Sequence, residues 1–103
     1  MDTTRFRQTV KLKAGERIFY APAHAELVAL RPLGSTGFEV DLEFVPKNPL
    51  VGYEVLDVAA GSPVPAKGAQ RLHTGRFDPA RAETPVLDFY VRETDLKPVP
   101  KKP

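Results

Sequence analysis

The chain has 103 residues and a net charge of +2, and this length fits a single domain. It contains 11 Pro, 7 Gly and no Cys, which excludes disulfides, thiolate nucleophiles and cysteine-ligated metal sites. Leu, Ile, Val and Phe account for 28 of the 103 residues, enough for a thin packed core rather than a disordered chain. No apolar leader and no apolar run of about 18 residues is present, so we expect neither a signal peptide nor a membrane-spanning helix.

Charge is unevenly distributed along the chain. Residues 1–17 carry a net charge of +3, residues 97–103 carry +3, and residues 18–96 carry −4. This layout, an acidic middle with two basic ends, is typical either of a solvated surface or of a chain that meets a charged partner.

Short strands separated by Gly and Pro turns are predicted along most of the chain. Residues 5–13 alternate, with Phe6, Val10 and Leu12 on one face and basic residues on the other, as a half-buried strand requires. Residues 38–45 alternate even more cleanly, with Phe38 and Val40 on the apolar face. The predicted strands are 5–13, 17–21, 26–31, 38–45, 50–58, 70–73 and 85–93. Residues 26–31 fit either a strand buried on both faces or one helical turn, and their length and the flanking Pro22 and Pro32 favour the strand.

The segment 59–85 is rich in Pro and Gly and is predicted to be a long loop region that holds only the short strand 70–73. Residues 97–103, Pro and Lys in the main, are predicted to form an extended tail. No helical periodicity is present. The sequence therefore predicts one antiparallel β-sandwich or jelly-roll-like domain of about six to eight strands over residues 1–96. Its predicted core is Phe6, Val10, Leu12, Ile18, Leu27, Leu30, Phe38, Val40, Leu42, Phe44, Val55, Leu87, Phe89 and Val91.

Catalytic and metal-binding patterns are weak. His24 and His73 are 49 positions apart, and zinc needs three or four convergent ligands. Ser35 and Ser62 lie in turn sequences without the context of a hydrolase nucleophile. The sequence Gly34-Ser35-Thr36-Gly37 is too short for a phosphate-binding loop and reads as a turn. We therefore predict no catalytic, cofactor-binding or metal-binding residue, and no enzyme.

Three carboxylates, Glu39, Asp41 and Glu43, share one face of the strand at 38–45. Alternate residues of a strand lie about 6.5–7 Å apart, a spacing compatible with a glycosidase pair. A solvated strand face has the same pattern, and the basic face of residues 5–13 offers partners if the two strands are neighbours. We expect these carboxylates to be solvated or salt-bridged.

Basic residues are the candidates for partner binding. A basic row on one strand is also a phosphate-binding feature, so a basic-ended nucleic-acid adaptor is the alternative function. The acidic middle of the chain works against that alternative. The candidate partner-binding residues are Arg5, Arg7, Lys11, Lys13, Arg71, Arg76, Arg81, Lys97, Lys101 and Lys102.

One resemblance covers most of the chain. The stretch Thr9-Val10-Lys11-Leu12-Lys13-Ala14-Gly15-Glu16, a strand running into an Ala-Gly turn, resembles the opening of small all-β accessory proteins of tailed-phage virions. The later strands at 27–30, 38–45 and 86–91 resemble theirs as well. The chain resembles capsid decoration (cement) proteins and small head or tail accessory proteins equally.

This resemblance implies a non-enzymatic assembly protein. Such proteins bind in many copies to a larger protein shell, often as oligomers, which would place this chain in a virion; without the resemblance we expect a cytoplasmic protein. No cofactor and no membrane partner is expected, and protein partners are favoured over nucleic acid.

Overall fold

Two antiparallel sheets make up the fold in a computed structural model that describes residues 4–34, 37–78 and 80–98. The described ranges contain no α-helix, and hence none long and apolar enough to cross a membrane. This is the all-β fold predicted from the sequence. The strands are β1 (Phe6–Leu12), β2 (Ile18–Pro22), β3 (Glu26–Pro32), β4 (Phe38–Phe44), β5 (Leu50–Ala59), β6 (Gln70–Arg76) and β7 (Val86–Glu93).

The strands divide into a sheet of three and a sheet of four. The first has the order β1-β4-β3 and the second the order β2-β5-β7-β6. At the borders between the sheets, β1 lies near β2 and β3 lies near β6. This arrangement is a β-sandwich, with β1 and β3 as the edges of one sheet and β2 and β6 as the edges of the other.

β4 is central in the three-stranded sheet because its sequence alternates without a break. Phe38, Val40 and Leu42 are at most 1% exposed and point into the core, while the carboxylates between them point outward. β3 pairs with β4 as far as Pro32, and a proline is tolerated there because β3 is an edge strand.

The core between the sheets is rich in aromatic rings. Phe38 contacts Phe77 and Phe89 edge to face, with ring centroids 5.4 and 5.8 Å apart. Phe19 stacks on Tyr53 at 5.2 Å. Both geometries are favoured by aromatic pairs, and they join β2, β4, β5 and β7 into one core.

Most of the predicted core is confirmed. Four of its members are only partly buried, and the sequence analysis omitted Phe19, Ala21 and Tyr53, which are buried in the same cluster. The buried predicted residues are Leu12, Leu30, Phe38, Val40, Leu42, Val55, Phe89 and Val91, and the partly buried ones are Val10, Leu27, Phe44 and Leu87.

Three core predictions were wrong. Phe6 is 53% exposed, because burial along edge strand β1 increases only toward Leu12. Ile18 lies on the outer face of its sheet, since its neighbour Phe19 points inward. The strand at 26–31 is not buried on both faces, because it forms an edge of the sheet and its burial alternates.

The segment 59–85 contains more regular structure than predicted. Ala59 still belongs to β5, and β6 extends to Arg76 rather than ending at His73. Two shorter connections, 60–69 and 77–85, replace one long loop. Of the predicted tail, Lys97 and Pro98 lack regular structure, and residues 99–103 lie outside the described ranges.

Candidate functional site

The outer face of the three-stranded sheet carries a charge ladder, which we define as Arg7, Lys11, Glu26, Arg31, Glu39, Asp41 and Glu43. The β1–β4 register places Arg7 opposite Glu43, Thr9 opposite Asp41, and Lys11 opposite Glu39. On the other side of β4, Arg31 lies opposite Glu39. Glu39 is therefore flanked by Lys11 and Arg31, whereas Glu43 lies between Arg7 on β1 and the like-charged Glu26 on β3.

Asp41 is the centre of this ladder. Arg31 donates from Nη1 to Oδ2 at 2.9 Å and from Nη2 to Oδ1 at 3.0 Å, and Thr9 Oγ1 donates to Oδ1 at 2.6 Å. The hydrogen bonds from Arg31 and then Thr9 lower the pKa of Asp41 from 3.8 to about 2. A carboxylate held ionised in this way is unsuited to act as a general acid. The expectation that the β4 carboxylates are salt-bridged is confirmed.

The amino-terminal candidate residues lie together on β1 and at its two ends. Arg5 pairs with Glu26 at 3.5 Å, whereas Arg7 and Lys11 reach their β4 partners only at 4.0 Å. These three side chains remain 50–80% exposed. The Lys13 side chain forms no ion pair with a described residue. The carboxylates of β4 therefore compensate the charges of this basic row only through long ion pairs.

The other candidate basic residues lie elsewhere. Arg71 and Arg76 are on β6, which is in the other sheet and at the opposite border of the sandwich from β1. Arg76 Nε donates to the carbonyl oxygens of Ala82 and Thr84, and Arg81 pairs with Asp78 at 3.6 Å. The structure therefore does not bring these residues together with the β1 row. Lys97 is exposed beyond β7, and Lys101 and Lys102 lie outside the described residues.

The two histidines and Ser62 lie in turns or pack against the core. His24 has a left-handed φ of 61° in the turn after β2, and its backbone N–H donates to Glu93 at 2.8 Å. The His73 ring contacts Phe89 with centroids 5.8 Å apart. Ser62 lies in a turn, and Ser35 lies outside the described residues. Within residues 4–34, 37–78 and 80–98 there is no group of acidic or histidine residues arranged to hold a metal ion.

The outer face of the four-stranded sheet differs from the charge ladder. Tyr20, Leu50 and Leu96 are 44%, 50% and 50% exposed and surround Gly52. Tyr20 lies opposite Gly52 on the neighbouring strand, and Leu50 is two positions before it on the same face of β5. We call Tyr20, Leu50 and Leu96 the Tyr20 patch.

Gly52 allows the patch to form. A Cβ at this position would lie 2.9 Å from Leu96 Cβ and 3.5 Å from the Tyr20 ring. The Gly52 amide donates to the Leu96 carbonyl oxygen at 2.8 Å, and Thr94 N–H donates to the Gly52 carbonyl oxygen. The chain after β7 is therefore held on β5, so Leu96 lies beside Tyr20 just before Lys97.

Further along the same face, a carboxylate is buried. Asp88 is 2% exposed, and it accepts from Thr74 Oγ1 at 2.6 Å and from the Gly61 amide at 3.0 Å. The hydrogen bond from Thr74, followed by that from Gly61, lowers its pKa. Both oxygens are engaged in fixing the connection 60–69 to β6 and β7, which gives Asp88 a structural role.

Sequence reasoning missed the Tyr20 patch. The apolar run 18–20 indicated a strand but not which of its side chains point outward, and Leu96 was assigned to the end of the domain. The chain matches no protein-family model, no curated protein and no solved structure. The resemblance to phage accessory proteins therefore stays a prediction.

Proposed function

We propose that this chain is a non-enzymatic assembly protein that binds protein, either further copies of itself or a larger shell, through the Tyr20 patch. The observation that carries the proposal is that exposed Tyr20 and Leu96 meet over Gly52, with exposed Leu50 two positions away on the same face of β5. Single exposed apolar residues are ordinary on soluble proteins, whereas contiguous ones mark interaction sites.

The contrast between the two outer faces supports this choice. The charge ladder is solvated and internally paired, and exposed ion pairs of this kind contribute little free energy. The outer face of the four-stranded sheet has a close ion pair, Arg92 with Glu54 at 2.7 Å, next to the apolar Tyr20 patch. A tyrosine combines a large apolar ring with a polar hydroxyl, which favours it at protein interfaces.

The basic tail begins directly beside the patch. Lys97 follows Leu96, and Lys101 and Lys102 come four and five residues after Lys97 in the chain. A partner surface with an apolar centre and acidic surroundings would complement this arrangement, because charge at the rim of an interface steers association. The proposal therefore keeps the tail lysines as candidate partner-binding residues.

The specific setting that we propose is a tailed-phage virion, with the chain as a decoration, cement or head or tail accessory protein. Support for this setting comes from the sequence resemblance alone. A small sandwich with a thin core would gain stability from binding a multi-copy shell.

The test measures molar mass by light scattering after size-exclusion chromatography. We expect the wild-type chain to run at a multiple of its 11.4 kDa mass or on a larger particle. Tyr20→Ser combined with Leu96→Ser should return it to the monomer, since the patch loses its apolar contact. The matched control is Val28→Ser with Val64→Ser, which changes two residues that are 38% and 58% exposed outside the patch.

A wild-type chain that stays at 11.4 kDa at every concentration, with no larger particle, would contradict the proposal. Equal loss of association in the control pair would contradict the assignment to the Tyr20 patch. Deletion of residues 97–103 should weaken association if the tail contacts the partner, and unchanged association would remove the tail from the interface.

A further inference from the structure

We propose that the free edge of β1 accepts an extended strand from another protein, one whose sequence alternates acidic and apolar residues. Three features of β1 favour such a partner, independently of the Tyr20 patch: its position at the end of its sheet, the charges on its outer face, and the exposure of Phe6 on its inner face.

β1 has one paired side and one open side. Residues Phe6–Leu12 pair with β4, and β1 is the last strand in the order β1-β4-β3. No other described strand pairs with it. Seven residues of strand extend over about 23 Å at about 3.3 Å per residue. An edge of this length can accept a further strand through main-chain hydrogen bonds.

The outer face selects the charge of that strand. On this face β1 carries Arg7, Thr9 and Lys11. The basic row continues at Arg5 before the strand and at Lys13 after it. Arg7 and Lys11 are 61% and 80% exposed despite their contacts with β4. An incoming strand with a carboxylate at every second position would place those groups beside the basic row, as β4 does on the other side. Opposite charges in neighbouring strands attract and like charges repel.

The same row argues against a second copy of β1 as the occupant. In an antiparallel pair centred on Thr9, Arg7 would lie opposite Lys11 and Arg5 opposite Lys13. Basic residues on edge strands are a common defence against such self-pairing. These basic residues disfavour pairing of β1 with a neutral or basic strand more than pairing with an acidic one.

The inner face selects apolar residues for the alternate positions. Phe6 points to the core side of the sheet, opposite Phe44, yet it is 53% exposed, and Val10 on the same face is only half-buried. Exposed Gln8 lies between Phe6 and Val10 on this face. Apolar side chains of an added strand would lie beside Phe6 and Val10 and remove them from water, which is favourable. β4 shows the complementary pattern within this fold, since Phe38–Phe44 alternates aromatic or aliphatic residues with carboxylates.

The experiment titrates the ¹⁵N-labelled full chain with the peptide Gly-Val-Glu-Val-Asp-Val-Glu-Val-Gly and follows the backbone amides. The control peptide has Lys in place of the three acidic residues. We expect the acidic peptide to shift the amides of residues 5–13, and the lysine peptide to leave them unchanged. Binding should weaken at least severalfold between about 50 mM and about 500 mM salt, because exposed charges are screened.

The matched variants are Phe6→Ser and Tyr20→Ser, which alter aromatic residues of similar exposure on different sheets. Phe6→Ser should weaken peptide binding by about tenfold, as loss of an interface aromatic commonly does. Tyr20→Ser should bind the peptide like the wild-type chain. Repeating the titration in the Tyr20→Ser chain separates this result from any self-association through the patch.

Several results would overturn the proposal. These are equal binding of both peptides, no binding of the acidic peptide at about 1 mM, amide shifts on β2 or β6 instead, or unchanged affinity of Phe6→Ser. Shifts of residues 5–13 with protein concentration alone would identify a second copy as the occupant. Tighter binding of an oligonucleotide at the same amides would favour nucleic acid over an acidic strand.

Discussion

At the scale of single residues, the Tyr53 hydroxyl joins three parts of the sandwich. It donates to the Pro22 carbonyl oxygen at 2.7 Å and accepts from the Ala25 amide at 3.1 Å. Glu93 Oε1 lies 3.3 Å from the same hydroxyl and also accepts from the His24 amide. Burial raises the pKa of Tyr53. The hydroxyl thus fixes the turn between β2 and β3 against β5 and β7.

Tyr53→Phe should lower the free energy of unfolding by about 1–2 kcal/mol, because it leaves the Ala25 amide and the Pro22 carbonyl without their partner. Urea unfolding monitored by circular dichroism measures this change. Tyr20→Phe is the control, since its exposed hydroxyl should contribute less than about 0.5 kcal/mol. Equal effects of the two substitutions would show that the buried hydroxyl has no special role.

Asp41 makes a pH-dependent contribution to stability. Its pKa is about 2 in the folded chain against an ordinary 3.8, so the ionised form favours folding. This contribution is complete above the ordinary pKa and is lost as the pH falls from 3.8 toward about 2, since protonation removes the hydrogen bonds from Arg31. Asp41→Asn should therefore cost about 1 kcal/mol at neutral pH.

Unfolding of the wild type and Asp41→Asn at a series of pH values tests this expectation. The two stabilities should converge as the pH approaches about 2. A difference that stays constant over the acidic range would mean that the charge of Asp41 does not contribute. The conservative variant keeps the side-chain volume, so packing is unchanged.

Residue burial was predictable where it depended on local alternation. Val40 and Leu42 follow from the period of two in β4, and both are fully buried. Phe6 has the same local pattern but lies where the second sheet gives little cover, and only the tertiary structure determines that. Tyr53 and Phe19 were missed for a related reason, because the sequence did not show that β2 and β5 are neighbours whose Phe19 and Tyr53 rings stack on the core face.

At the scale of elements, Gly52 couples β5 to the chain that follows β7. A methyl group here would meet Leu96 Cβ and Thr94 Oγ1, each at 2.9 Å, so one of them must move. Gly52→Ala should displace residues 94–96 and lower the free energy of unfolding by about 1–3 kcal/mol, as overpacking commonly does. Faster amide hydrogen exchange at residues 94–96 measures the displacement.

Removing one of the two contacts provides the control. Leu96→Gly in the Gly52→Ala chain should restore part of the lost stability, because the Leu96 side chain no longer opposes the new methyl group. If the double variant is as unstable as the sum of the two single changes, the contact between positions 52 and 96 is not the cause.

Strand positions were predictable from alternation and from Gly and Pro turns, and all seven predicted strands are present. The pairing of the strands was harder to predict from the sequence, because alternation indicates which side of a strand is buried but not which strand lies beside it. The basic face of β1 and the acidic face of β4 were recognised as complementary if the two strands were neighbours, and the structure makes them neighbours. The extension of β6 to Arg76 depends on pairing with β7, which its own sequence does not show.

At the scale of the whole molecule, the uneven charge of the sequence acquires a different meaning. The basic amino-terminal segment does not extend from an acidic body, since β1 lies directly against the carboxylates of β4. Basic groups that stay exposed include Arg7 and Lys11 on β1, Arg71 on β6, and Lys97, which follows Leu96 of the Tyr20 patch. The charge layout thus divides the molecule into a solvated outer face and a face that we propose to be covered by protein.

The measurement that tests this division most directly follows the backbone amides of the ¹⁵N-labelled chain as protein concentration rises from about 20 µM to about 500 µM, a range that reveals micromolar self-association. The account predicts shifts or broadening centred on residues 20, 50, 52 and 96, with residues 31, 39 and 41 of the charge ladder unchanged. Spectra that do not depend on concentration, for a chain that also binds no larger particle, would contradict it. Changes confined to the charge ladder would contradict it as well.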